Sequence, residues 1–158
     1  MNILIAEPLA PAGIELFQSQ PGWKTIVSNP KEYAQHLADA DALLVRSAVQ
    51  VNQSVLEKAP KLRVIGRAGV GVDNVDLDAA TAAGVLVMNT PGGNAISVAE
   101  HTLALMLALC RNVPQAHSSL VGGEWARSRF GGAELYGKTL GVIGFGRIGQ
   151  LVAKRAQA

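Results

Sequence analysis

Short apolar runs and amphipathic stretches take turns along the chain as far as Thr90. Ile3–Ala6, Lys24–Val27, Ala42–Val45, Arg63–Gly66 and Val85–Met88 are brief and rich in β-branched and aliphatic residues, and they read as strands. Between them the spacing predicts helices over Ala12–Gln18, Lys31–Ala38, Val51–Lys58 and Asp76–Ala83. Asn29-Pro30, Pro60 and Gly84 punctuate this part of the chain, since proline and glycine interrupt regular structure. Strands of nearly continuous apolar character alternating with helices predict an α/β fold. Its sheet is parallel, covered on both faces and joined by right-handed crossovers.

Beyond the turn-rich segment Thr90-Pro91-Gly92-Gly93-Asn94 the pattern changes, so a domain boundary is expected there, dividing 1–90 from 91–158. Ser97 and Glu100 have capping-box spacing and place a helix start near Val98. From Leu103 to Cys110 this helix is apolar all round, which predicts burial on every side, in a domain core or a subunit interface. A second helix is expected over Val113–Val121, ended by Gly122-Gly123, and Trp125–Tyr136 is expected to be irregular. Leu140-Gly141-Val142-Ile143 reads as a last strand running into Gly144-Phe145-Gly146-Arg147-Ile148-Gly149, with a helix over Gln150–Gln157.

That final stretch carries the most specific chemistry. A strand, a G-x-G-x-x-G turn and a helix form the first turn of a dinucleotide-binding unit. Gly144 permits the tight turn, Gly146 lets the backbone approach a pyrophosphate, and Gly149 lets helix and strand pack closely. Free N–H groups and the positive end of the helix dipole hold the phosphates. The ribose-binding acid expected about 20 positions further on falls beyond Ala158.

Composition narrows the partners. With a net charge of +2 and 16% charged residues, electrostatics make no case for nucleic acid or a membrane surface. Asn2–Ala6 is too short for a signal segment and Leu103–Cys110 too short to cross a bilayer, so a soluble protein is expected. The lone Cys110 can form no intrachain disulfide, which favours a reducing cytosol, and its apolar setting predicts a buried core thiol.

Arg46 and Arg67 each stand at the end of an expected strand, where open parallel sheets bind ligands, and guanidinium groups there suit a phosphate or carboxylate. Each arginine could instead merely pair with a surface carboxylate, but the second adjoins Gly69-Val70-Gly71, whose backbone N–H groups can face an oxyanion. Asp73, Asp76 and Asp78 lack the glycine and glutamate of a calcium loop and are expected to serve a helix N-terminus. His101 and His117 show no orienting partner, His36 looks solvated, and neither a metal-spaced His/Cys cluster nor a G-x-S-x-G elbow occurs.

Five blocks occur in order: Val45–Ala48, Val64–Asp76, Val85–Pro91, Ser97–Thr102 and Gly137–Gly149. Together they resemble the NAD-dependent D-2-hydroxyacid dehydrogenases, and within that family its phosphoglycerate-oxidising branch. The resemblance implies a flavodoxin-like parallel-sheet substrate domain followed by the start of a Rossmann dinucleotide-binding domain. It implies NAD as cofactor and oxidation of D-3-phosphoglycerate to 3-phosphohydroxypyruvate, the first committed step of serine synthesis. By the same resemblance Arg46, Ser47 and Arg67, with the Val70-Gly71 backbone, would bind the substrate. Val70 would also lie near the nicotinamide, and Gly144, Gly146, Arg147, Ile148 and Gly149 would meet the pyrophosphate. The helix near Val98 would lie in a homodimer interface. The family's catalytic Arg, Glu and His all fall beyond the equivalent of Ala158, so no catalytic residue is assigned, and a truncated chain without turnover is expected. A hydroxypyruvate or glyoxylate reductase, and a non-catalytic binding or dimerisation module, are the competing readings.

Overall fold

The computed structural model describes residues 1–157 and divides into two compact units, Met1–Gly93 and Asn94–Ala158. The N-terminal unit is built on β1 (Asn2–Ile5), β2 (Lys24–Val27), β3 (Ala42–Val45), β4 (Val64–Arg67) and β5 (Leu86–Asn89). All neighbours are parallel, in the order β2-β1-β3-β4-β5. This is the flavodoxin-like order, and it reverses direction between β1 and β3, where such sheets open a crevice at their carboxyl ends. Each strand expected before Thr90 lies within a residue of its observed place. Four-residue aliphatic runs bounded by turns leave little freedom in where pairing starts.

One face of the sheet is well covered. Leu4, Leu43, Val45 and Ile65 pack there with Leu37, Leu56, Val75 and Ala80. These come from a 3₁₀ segment (Tyr33–Asp39), from α2 (Gln53–Glu57), from the loop before α3, and from α3 itself (Leu77–Ala82). The other face, with Ile3, Ile5 and Ala42, is covered by Ile14 and Phe17 of α1 (Pro11–Gln18). On that face the register places Leu86 and Met88 of β5 beside Val64 and Gly66, and both remain exposed. The expectation of a sheet covered on both faces therefore holds for the middle strands and fails at β5.

Local chemistry explains where helices differ from expectation. Between Lys31 and Ala38 the chain forms the 3₁₀ segment rather than an α-helix. Asn29 Oδ1 accepts from Lys31 N (2.9 Å), an Asx turn that tightens the entry. Val51 is not helical: it makes a parallel bridge to Val75, and its N–H donates to Asn74 O (2.8 Å). α2 starts after Asn52, whose Oδ1 accepts from Val55 N (3.2 Å). Asp76 caps α3 through Ala79 N (2.9 Å), the role expected of it.

The C-terminal unit contains α4 (Ala95–Cys110), α5 (Val113–Val121), a 3₁₀ turn (Arg127–Phe130) and α6 (Arg147–Ala156). α4 begins at Ala95, not near Val98, so Ser97 and Glu100 form no capping box; Asn94 is the N-cap and Glu100 reaches Arg155 Nη2 (3.4 Å) on α6. A further correction concerns burial. Ala95 and Ala99 are buried where α6 packs, but Leu105, Leu107 and Leu109 are 52–76% exposed. One neighbouring helix can cover only one stripe of α4. α5 leaves at 65° through Asn112, whose φ of 53° lies in the left-handed region that asparagine tolerates, so it covers little more. Cys110 is half-buried rather than a core thiol.

Leu140–Ile143 is not a strand, because no strand lies beside it among the described residues and a ladder needs a partner. No single described helix is long and apolar enough to cross a membrane.

Candidate functional site

The carboxyl ends of β1, β3 and β4 lie side by side, so Glu7, Arg46 and Arg67 meet along one rim. Val45 pairs with Arg67 in the β3–β4 register, which places Arg46 one residue further out. Between Val45 and Val49, both buried, the Arg46–Ala48 turn is exposed.

Two buried polar residues hold this turn. Glu7 is 4% exposed, and its carboxylate accepts from Arg46 N (2.8 Å) and Val49 N (2.9 Å) at Oε1 and from Ala48 N (3.1 Å) at Oε2. Burial pushes this carboxyl upward, but the N–H groups of Val49, Ala48, Arg46 and Ser47 outweigh it and hold the group below its ordinary range. Asn74, also 4% exposed, donates through Nδ2 to Arg46 O (3.0 Å) and Val49 O (2.7 Å). Its Oδ1 accepts from Arg67 Nε (3.4 Å).

The loop after β4 is pinned through its carbonyls. Thr90 N donates to Gly69 O (2.9 Å) and Asn89 Nδ2 to Val70 O (2.6 Å). The N–H groups of Val70 and Gly71 have no protein acceptor among the described residues, as an oxyanion nest requires. Arg67 folds back over Gly69 so closely that a side chain there would collide with its guanidinium. A Cβ on Gly71 would lie 2.8 Å from Asp73 Oδ1, so that carboxylate stands beside the nest and opposes an anion, while the Arg67 cation offsets it.

The arginines thus come together at the level of main chain and Asn74, not through a shared hollow. Arg46 Nη1 reaches Pro8 O (3.5 Å), whereas Arg67 lines an open hollow of 260 Å³ with Leu9, Phe17, Leu44, Met88 and Asn89. Arg46 is not among the residues lining that hollow. Ser47 is exposed on the same turn as Arg46. His101 and His117 are exposed on α4 and α5, and neither hydrogen-bonds a carboxylate among the described residues.

In the C-terminal unit the glycine turn has the geometry its sequence requires. Gly144 has φ 88°, a conformation that favours glycine. A Cβ on Gly149 would collide with Gly144 O and come within 3.3 Å of Val142 Cγ1, so only glycine lets the helix sit this close to the incoming chain. A Cβ on Gly146 would meet nothing within 4 Å, leaving its face open to a ligand. Gly146 is the N-cap of α6, with Arg147 and Ile148 in the first turn; no side chain caps the helix, and Gln150 N is the first amide bonded back, to Gly146 O (3.0 Å). These free donors fit a pyrophosphate.

Glu7 and Asn74 escaped the sequence analysis. Glu7 carried a signal, since it follows Ile5-Ala6 as a charged residue at a strand end, like Arg46 and Arg67. Asn74 carried none, because its carbonyl partners lie 28 and 25 residues away.

The chain is 54% identical to D-3-phosphoglycerate dehydrogenase of Methanocaldococcus jannaschii and 52% identical to that of Mycobacterium bovis, over 100% and 99% of its own length. It spans 30% of the length of either relative. The crystal structure of NAD-dependent formate dehydrogenase from Staphylococcus aureus in complex with NAD superposes with a TM-score of 0.88 at 36% identity, covering 98% of this chain and 53% of that one. Residues 3–156 match the profile of the D-isomer specific 2-hydroxyacid dehydrogenase, catalytic domain, and the chain belongs to that family.

Proposed function

We propose that the chain carries the substrate-binding unit and the pyrophosphate turn of an NAD-dependent D-3-phosphoglycerate dehydrogenase, which oxidises D-3-phosphoglycerate to 3-phosphohydroxypyruvate for serine synthesis in a reducing cytosol. The observation that carries this reading is the junction at the strand ends. Asn74 ties the Arg46 carbonyl to the Arg67 guanidinium, beside the unpaired N–H groups of Val70 and Gly71. A substrate with a phosphate at one end and a carboxylate at the other needs two anion-binding groups a few ångströms apart, and guanidinium groups and main-chain amides supply both kinds. The relatives named above support the choice of substrate.

Gly144, Gly146 and Gly149 shape the pyrophosphate seat, and the amides of Arg147 and Ile148 point their hydrogens to it. NAD, when bound, supplies the acceptor for the hydride leaving the hydroxyl-bearing carbon. The proton acceptor is none of His36, His101 and His117, and we place it outside these 158 residues. The unit from Asn94 on is the opening part of a Rossmann domain, and α4 pairs with its copy in a homodimer, covering the stripe that carries Leu105 and Leu109.

The test uses the 158-residue chain itself, which should reduce no NAD. D-3-phosphoglycerate should raise its unfolding midpoint where D-lactate at the same concentration does not, and R46A and R67A should each abolish the rise. An equal rise with D-lactate, or a rise that survives both substitutions, overturns the reading.

A further inference from the structure

We infer that Glu7 and Asn74 are positioning residues of the anion site, clamping the Arg46–Val49 turn from its N–H and its C=O sides and tying it to Arg67. The inference rests on the substrate reading above and deepens it.

The clamp is complementary. Glu7 takes the amide hydrogens of Arg46, Ala48 and Val49, and Asn74 gives its own to the carbonyls of Arg46 and Val49. The segment beyond the turn is closed onto the same strand of chain, with Val51 N on Asn74 O (2.8 Å) and Asp76 N on Val51 O (2.9 Å). Arg46 and Ala48 lie on the exposed turn, but the Val49 N–H is bonded in the buried interior and needs a protein acceptor. Burying a charge is costly, yet a single acceptor would satisfy Val49, whereas this carboxylate holds the amides of Arg46, Ala48 and Val49 at once. The arrangement is explained if the geometry of the turn itself matters.

It also decides what the turn can offer a ligand. With its amides committed to Glu7, the turn presents side chains, the Arg46 guanidinium and the Ser47 hydroxyl, rather than a main-chain nest. The main-chain donors come instead from Val70 and Gly71. Through Asn74 Oδ1 the same residue accepts from Arg67, so one side chain joins the Arg46 main chain to the Arg67 guanidinium.

Glu7→Gln keeps the shape but turns an amide donor against the N–H of Ala48, and Asn74→Asp keeps the acceptor for Arg67 while losing both donations to carbonyls. In the full chain, each should weaken D-3-phosphoglycerate binding, measured by calorimetry, roughly ten-fold or more. Amide exchange at Ala48 and Val49 should quicken while Ile5 and Ile65 stay protected. In an Arg46→Ala background the effect of Glu7→Gln on binding should largely vanish, because the clamp acts through that residue; a purely structural role would instead give additive losses. Wild-type affinity in both folded variants, or additivity in the cycle, overturns the inference and leaves the substrate reading standing. If neither variant folds, the two residues are structural and the inference fails. If the wild-type chain binds no D-3-phosphoglycerate, the substrate reading fails and the inference falls with it.

Discussion

The N-terminal unit holds Ile3, Leu4, Ile5, Leu43 and Ile65 at 1% exposure or less, whereas the C-terminal unit leaves Leu105, Leu107 and Leu109 more than half exposed and Ile143 without cover. Both segments are comparably apolar in sequence. A parallel sheet presents two broad faces that several short helices can cover from nearby positions in the chain. A long helix apolar on all sides needs neighbours all around it, and α4 has α6 against Ala95 and Ala99 and little else. Apolar patterning therefore states that a surface must be covered, but not by what.

That contrast can be broken or sharpened by experiment. The largest effect is expected in the sheet. Ile65→Ala removes buried volume at its centre and should destabilise the N-terminal unit by about 2–5 kcal/mol in urea unfolding. Leu109→Ala, at a site exposed in the single chain, should change the monomer's stability by no more than about 0.5 kcal/mol. Equal losses at the two sites would erase the distinction between the units.

Next comes the glycine turn. Gly149→Val places a side chain against Gly144 O and should lower NAD affinity about 100-fold or more while leaving the far-ultraviolet signature of the sheet unchanged. Retained affinity would show that the close approach at Gly149 is not what seats the pyrophosphate.

Acid should separate the units more gently. Glu7 has a folded pKa held below its ordinary value of 4.5, so its stabilising contribution is complete above that value and is lost as pH falls through the lower, folded one. Unfolding of the N-terminal unit should therefore gain an acid limb below about pH 4.5, and Glu7→Gln should flatten it. A limb of unchanged slope in the variant would assign it to other carboxylates.

The smallest effect on folding, though not on assembly, is expected from charge on the α4 stripe. Leu105→Lys should leave the monomer's unfolding midpoint nearly unchanged and dissociate the proposed homodimer in sedimentation. A dimer that persists would place the interface elsewhere.

Much of this was legible along the chain because the deciding interactions are local. Four-residue aliphatic runs between turn residues located the strands. Asp76 showed its capping role through its place before a helix, and Gly144 and Gly149 carried theirs in a spacing that fits the turn observed. Arg46 and Arg67 could be placed at strand ends, though not their side chains' separate partners, Pro8 O and Asn74. The start of α4 was misjudged because Ser97 and Glu100 imitate a cap that Asn94 occupies.

The sequence by itself determined the alternation of strands and helices, the parallel sheet and the glycine turn, since each follows from backbone preferences and the periodicity of neighbouring side chains. Only the tertiary structure decided that Glu7 and Asn74 grip the turn after β3, that β5 and α4 keep apolar faces uncovered, and that Leu140–Ile143 stays unpaired. Those outcomes depend on groups distant in sequence meeting in space, and a hydrogen bond or a buried face exists only when its partner arrives.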